Sequence, residues 1–401
     1  MPKTTAGVAA VLLAGLPSVA LAQDAPFVQD RIAIGLWVDP PIDDSAEARY
    51  AELAEANFTV VIGGFAAGNE ALARRQLALC EEHDLRVVLP TAGLPPDRLP
   101  DGPACWGYVV RDEPSAADFA SLHDAVQAIE RARPGRFAYI NLFPNYANQT
   151  QLGTATYEEH VSRFVDEVGV QVLSMDHYPL FLPNADGRQA YCDNLDVMRR
   201  YSLAKGIPFW NFFNTMPFGP HSDPTEAQLR WQIYTSLAYG AKGVLYFCYW
   251  TPRGGEFPKG GAIITAEGRR TRHYDQAKRI NAAVKALGPT LMRLTSTSVV
   301  RVRGGDDPAA TTAGSPVIVQ TPGEYLIGVF SHADGRRAAL LCNYEHAYTA
   351  WPTVELDAPE DQVREVSQET GEEVAVIDDS PDMDGLQISL DAGSGRLFLL
   401  P

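Results

Sequence analysis

Apolar and polar positions along the first two thirds of the chain follow a recurring two-part pattern. A short β-branched or apolar run gives way to an amphipathic stretch of helical period, and the pair then repeats. The runs expected as strands are residues 32–38, 59–65, 86–90, 106–110, 137–142, 172–175, 209–213 and 243–249. Stretches 46–56, 69–83, 116–132, 157–168, 193–205 and 225–239 read as the helices between them. Segment 92–105 is rich in Pro and Gly and too broken for a full helix. A last helix over 274–287 is expected to stop at Gly288-Pro289. Eight such strand–helix units fit a closed (β/α)8 TIM barrel. An open doubly wound sheet is the alternative, but no GxGxxG or GxxxxGK[ST] loop follows any strand.

After Pro289 the texture changes. Short alternating runs at 298–303, 316–320, 325–331, 337–343, 353–356, 387–390 and 396–400 are separated by turns such as Pro322-Gly323 and Asp334-Gly335. Their spacing predicts a small antiparallel β-sandwich. The expected organisation is an α/β barrel over 23–290 and a sandwich over 291–401, packed directly with no low-complexity linker.

Residues 1–22 have a different character. Lys3 provides a positive start, residues 6–16 a short apolar core, and Ala20-Leu21-Ala22 a small-x-small cleavage site before Gln23. This predicts a cleaved signal peptide and a secreted or periplasmic protein. The apolar run is far shorter than the roughly 20 residues that span a bilayer, so no membrane insertion is expected. Five cysteines, an odd number, show no CxxC spacing, and the eight histidines form no HxH or HxxxH pair. No metal and no cofactor are expected.

Of the 401 residues 46% are hydrophobic, which excludes disorder over most of the length, and the net charge is −17. Such a surface repels phosphate backbones and anionic lipid, so nucleic acid is not an expected partner. It also disfavours a strongly anionic polysaccharide. Oligomeric state is not legible here.

In barrels of this kind the reactive groups stand at the carboxyl ends of the strands. Those ends carry Trp37 and Asp39; Arg111-Asp112-Glu113-Pro114; Asn141; Asp176-His177-Tyr178; Trp210, Asn211 and Asn214; and Tyr249-Trp250. Aromatic faces stack on the C–H face of a sugar, while carboxylates, amides and imidazoles bond its hydroxyls. Paired carboxylates are what glycosidic cleavage needs. The set points to a carbohydrate substrate.

The Asp112-Glu113-Pro114 turn ending the fourth strand resembles the acid/base motif of glycoside hydrolase clan A, in which the residue before the Glu is usually Asn; Asp112 departs from that. Trp250 is similar to the clan's floor tryptophan. The stretch 230–243 and the ending 389–400 resemble exported bacterial β-galactosidase-like glycosidases. The resemblance implies hydrolysis of an O-glycosidic bond with Glu113 as general acid. The clan's nucleophilic Glu belongs at the end of the seventh strand, where this chain has only Asn211 and Asn214. Asp176 is the first choice for the second carboxylate, with Glu256 and Asp39 as alternatives. A separation of about 6.5–9.5 Å would mean inversion and about 5–5.5 Å retention. Two competing readings remain: a sugar-binding barrel that has lost catalysis, and a polysaccharide lyase acting on uronates. The lyase needs cationic clamps, for which the rim offers few groups beyond Arg111 and Arg253.

Overall fold

A computed structural model describes Met1 and residues 26–64, 69–182 and 185–401. The predicted signal peptide lies almost wholly outside these residues, as does Phe65 of the second predicted strand.

Eight parallel strands close into a barrel: β1 (Ala33–Leu36), β2 (Val60–Ile62), β3 (Arg86–Pro90), β4 (Cys105–Asp112), β5 (Phe137–Leu142), β6 (Leu173–Asp176), β7 (Phe209–Asn214) and β8 (Gly243–Phe247). Strand β1 pairs with β8 in register, Ala33 opposite Gly243 and Leu36 opposite Tyr246. The helices around it are α1 (Ala46–Glu55), α2 (Glu70–Glu82), α3 (Phe119–Ala132), α4 (Gln149–Leu152), α5 (Tyr157–Glu167), α6 (Arg188–Lys205), α7 (Glu226–Ala238) and α8 (Arg272–Leu291). Between β3 and β4 only a 3-10 turn, Pro96–Arg98, forms, as the broken composition there predicts. One expectation fails: α8 runs through Gly288-Pro289 to Leu291. Leu287 and Leu291 are buried, and packing of that face outweighs the intrinsic cost of proline in a helix.

Inside the barrel, alternate residues of each strand form layers. The bottom layer holds Trp106, Phe137 and Trp210, sealed from below by Phe27, whose ring lies 4.5 Å from Phe137 and 5.7 Å from Trp106. Gly107 lets β4 and β5 approach there, since a Cβ would stand 2.1 Å from the Phe137 carbonyl oxygen.

The rest of the chain forms two antiparallel sheets. One has six strands in the order β15-β14-β17-β12-β11-β9 and the other three in the order β10-β13-β16. These are β9 (Leu294–Val302), β10 (Val317–Val319), β11 (Tyr325–His332), β12 (Arg337–Asn343), β13 (Thr353–Leu356), β14 (Arg364–Val366), β15 (Glu373–Ala375), β16 (Leu386–Gln387) and β17 (Gly395–Leu400). The sequence pattern misses β14 and β15: β15 is fully exposed, so it shows no alternation to read. Alternation along the six-stranded sheet divides its side chains between two cores. Val302, Ile327, Leu341 and Phe398 pack towards the three-stranded sheet. Leu326, Leu340, Leu397 and Leu399 join the core of the barrel helices. Gly328 meets α7 so closely that a Cβ would lie 2.3 Å from the Ala238 carbonyl oxygen. At the rim Arg188, opening α6, bonds Asp186 at 2.9 Å on its own loop and Glu324 and Glu345 at 3.3 Å on the sandwich. All five cysteines are buried and unpaired. Among the described residues no helix is long and apolar enough to cross a membrane.

Candidate active site

At the carboxyl end of the barrel a cavity of about 260 Å³ is bounded by acids from β4, β6 and the loop after β8, and by a wall of aromatic rings. Larger cavities of about 350 and 310 Å³ lie at the barrel–sandwich junction, away from these acids.

Strand β4 brings two consecutive acids to the cavity, which regular strand geometry forbids, because neighbouring side chains point to opposite faces. Two irregularities make it possible. The register against β5 slips between Val109 and Arg111, so that Asp112 stands level with the inward-facing Asn141. Glu113 then takes a left-handed conformation, φ 45°, with its N–H donating to the Asn141 carbonyl at 2.8 Å. A non-glycine residue there costs about 1–3 kcal/mol and is held only by its surroundings. The following Ser115 also caps a helical turn: its hydroxyl accepts from Ala117 and its N–H donates to Asp118. The turn thus serves both as a cap and as the carrier of Glu113.

Asn141 joins the acids. Its Nδ2 donates to Asp112 at 3.3 Å and to Asp176 at 3.2 Å. Its Oδ1 accepts from the Ser174 hydroxyl at 3.1 Å, and Ser174 shares a 2.8 Å bond with the Tyr139 hydroxyl. Tyr139, Asn141, Ser174 and Asp176 are all buried. The Tyr178 hydroxyl gives Asp176 a second donor.

Burial, reinforced by the Asp112 charge, pushes the Glu113 carboxyl up to about 7. Burial also raises Asp112, against the pull of the Asn141 amide. Asp176 is raised well above the ordinary carboxylate range, first by burial and then by the charges of Glu113 and Asp112. Three acids this close share protons at neutral pH. The donors at Asp176 favour its charged form, whereas no described side chain donates to Glu113. The cluster therefore holds protons into the neutral range, with the Glu113 carboxyl titrating at about 7.

The cavity gathers Trp37, Asp112, Glu113, Asn141, Asp176, Tyr178 and Glu256 from the sequence-predicted residues. Trp37 reaches it by continuing the inward alternation of Ala33 and Gly35 along β1, and its ring meets Phe212 edge-on at 5.9 Å; the left-handed Val38 that follows, φ 58°, breaks that alternation. Asp39 is then turned away, buried, accepting from the Gly64 N–H at 2.8 Å and the Gln76 amide at 2.6 Å. It is no candidate for the second carboxylate.

Six further expectations are corrected. Trp210 faces inward but two residues too low: its indole donates to Gln29 at the barrel bottom, 3.0 Å. Asn211, next to it, must point outward, and bonds the Tyr191 hydroxyl at 2.7 Å. Asn214 bonds the Ser222 carbonyl of the following loop at 3.4 Å. His177 faces away from Asp176, bonds Asn194 at 2.9 Å and lies edge-on to Tyr191; burial lowers its pKa to about 4. Tyr249 is buried against Phe58. Trp250 lies under the Arg49 guanidinium, 5.3 Å away, because the chain turns outward after β8 ends at Phe247.

The floor is instead Phe247, with Phe212 and Phe218. Sequence reasoning missed all three. Period-two alternation from Trp210 would have found Phe212, and the last residue of β8 would have found Phe247. Phe218 sits in a loop and carries no such signal. The loop after β8 supplies Glu256 to the lining. Arg111 and Arg253 pair with Asp118 and Glu267, each at 3.7 Å.

No protein-family model matches this sequence, and no curated protein matches it. Solved structures do. The chain is similar to the β-galactosidase from Bacillus circulans sp. alkalophilus, TM-score 0.58 at 10% identity, covering 92% of this chain and 99% of that one. It is similar to the same degree to a catalytic mutant of Gan42B, a GH42 β-galactosidase from G. stearothermophilus, TM-score 0.57 at 10% identity over 92% and 98%. It spans 60% of the length of the β-galactosidase from the psychrophilic Marinomonas ef1, at 12% identity and TM-score 0.48. The fold shared with these structures is a closed eight-stranded parallel barrel carrying antiparallel β-sandwich sheets.

Proposed function

We propose that this protein is an exported glycosidase that cleaves an O-glycosidic bond at the cavity formed by Asp112, Glu113 and Asp176. The observation that carries this reading is Glu113, its carboxyl pushed up to about 7, beside the Asn141-bonded carboxyls of Asp112 and Asp176 in an aromatic-walled cavity at the barrel's reactive end. Glu113 protonates the leaving oxygen, a step suited to an acid that titrates near neutrality. Asp176 activates water or attacks the anomeric carbon. Asp112 and Asn141 hold the charge distribution of the pair, and Trp37, Phe212 and Phe247 pack on the sugar ring.

A second reading, a sugar-binding barrel without catalysis, draws support from β7, which contributes no carboxylate to the cavity. The uronate lyase reading has no such support, since no Lys or Arg lines the cavity among the described residues. The deciding experiment is product release by the mature protein and by Glu113→Gln on a panel of oligosaccharides, with the first-formed anomer read by NMR. Release that disappears in the variant is expected. Saturable binding by both proteins with no release would establish the binding barrel instead.

A further inference from the structure

The proposed chemistry leaves the charge of the cavity unexplained. Cleavage uses two carboxyls, and four line this cavity: Asp112, Glu113, Asp176 and Glu256. No Lys, Arg or His lines it among the described residues. Its two other hydrogen-bonding groups on β5 and the β6 loop are already engaged. The Asn141 amide serves Asp112 and Asp176 and accepts from Ser174, and the Tyr178 hydroxyl serves Asp176. What remains for a ligand, beside the Trp37 indole N–H, is four carboxyls whose ionisation no cation in the cavity balances.

Three further observations narrow the ligand. The opposite wall is a packed group of rings, Tyr178, Phe218 and Phe247, with centroids 5.1–5.3 Å apart, and the faces of such rings attract cations. The cavity acids are not gathered for chelation. Among the described residues the one group of three ligand-type side chains with atoms within 4.8 Å of one another is Glu47, Glu82 and His83, elsewhere on the surface. Acids spread around a cavity of about 260 Å³ suit a cation carried on a larger molecule better than a bare metal ion. Finally, the whole chain carries −17, a field that concentrates cationic solutes.

We infer that the sugar ring this cavity takes is an amino sugar with a free, unacetylated ammonium group. The ammonium brings three donors and a positive charge to carboxyls that have no cationic partner, forms charge-assisted bonds with those that ionise and relieves the repulsion among them. Acetylation removes the charge and adds bulk, and a neutral hexose supplies no compensating charge. The inference rests on the glycosidase reading for the ligand being a sugar; its preference for a cation comes from the composition of the cavity.

The test is calorimetric titration of the whole mature protein with methyl glucosaminide and methyl galactosaminide, their N-acetyl derivatives and the neutral methyl hexosides. At least one amino glycoside should bind at least about tenfold more tightly than its acetylated and neutral counterparts, the scale of a hydrogen bond to a charged group. That advantage should shrink with added salt and in Glu256→Gln, a change at an exposed loop position that leaves the barrel core untouched. Equal or weaker binding of the amino glycosides, or no binding of any, overturns the inference. Parallel turnover assays separate the two claims. Glu113-dependent hydrolysis without preference for the amine removes the amino-sugar inference and keeps the glycosidase. Amine-selective binding without hydrolysis does the reverse.

Discussion

Replacing Ser174 by alanine removes one oxygen from the middle of a buried chain that runs from Tyr139 through Asn141 to both Asp112 and Asp176. Two buried groups lose a partner: the Tyr139 hydroxyl, bonded at 2.8 Å, and the Asn141 carbonyl oxygen, bonded at 3.1 Å. An orphaned buried polar group costs about 1–3 kcal/mol, so the unfolding free energy should fall by roughly 2–4 kcal/mol once the neighbours relax. Urea unfolding of the variant measures this directly. Tyr139→Phe alone should cost less, because Ser174 still donates to Asn141. The double variant should cost less than the sum of the singles by on the order of 1 kcal/mol, since it removes the hydroxyl that Ser174→Ala orphans. Activity should respond as well. With its oxygen no longer pinned, the Asn141 amide can present that oxygen to the two carboxylates, and kcat/KM should fall by about tenfold, the worth of a hydrogen bond to a charged group. A Ser174→Ala protein within about 0.5 kcal/mol of wild type, or a strictly additive cycle, would refute the reasoning.

The pH profile of kcat/KM should fall as pH rises through about 7, where Glu113 loses the proton it must donate, and Glu113→Gln should lose turnover by about 10²–10⁴-fold. His177 is held neutral, with its pKa lowered to about 4 against roughly 6.5 unfolded. Its contribution to stability is complete above the unfolded value and is withdrawn as pH falls from there towards about 4; unfolding curves of His177→Gln should lack that component. Gly107→Ala drives a Cβ to 2.1 Å from the Phe137 carbonyl oxygen and should destabilise the barrel by more than about 3 kcal/mol, visible as a lowered Tm or loss of soluble protein. Mass spectrometry of the exported protein should find Gln23 at its amino terminus; an intact residue 1–22 segment would remove the export proposal.

The barrel was legible because burial imposes periodicity: strands β3 and β5 coincide with their predicted ranges, and the others lie within a few residues of theirs. The site was legible only as far as strand ends go. Asp112, Glu113, Asn141 and Asp176 were found because they end β4, β5 and β6. The slip at Val110 and the left-handed Glu113 and Val38 leave no mark in composition, yet they decide that Glu113 faces the cavity and Asp39 does not. Rank along a strand, too, was confused with height. Trp210 and Phe212 share a face, but only the upper one reaches the cavity. A helix through Gly288-Pro289 shows the converse, tertiary packing overriding a strong local stop signal.

The bonds of Arg188 to Asp186, Glu324 and Glu345 bear on how such a protein can be re-engineered. The loop that carries Tyr178 into the cavity ends at this arginine, so one rim segment is moored to a different module. A chimera that keeps the barrel and exchanges the sandwich would keep every acid of the cavity and still lose the mooring of one wall. Specificity in this architecture is then expected to be inherited by the two modules jointly, with substitutions that retune the cavity arising at Glu324 or Glu345, outside its lining.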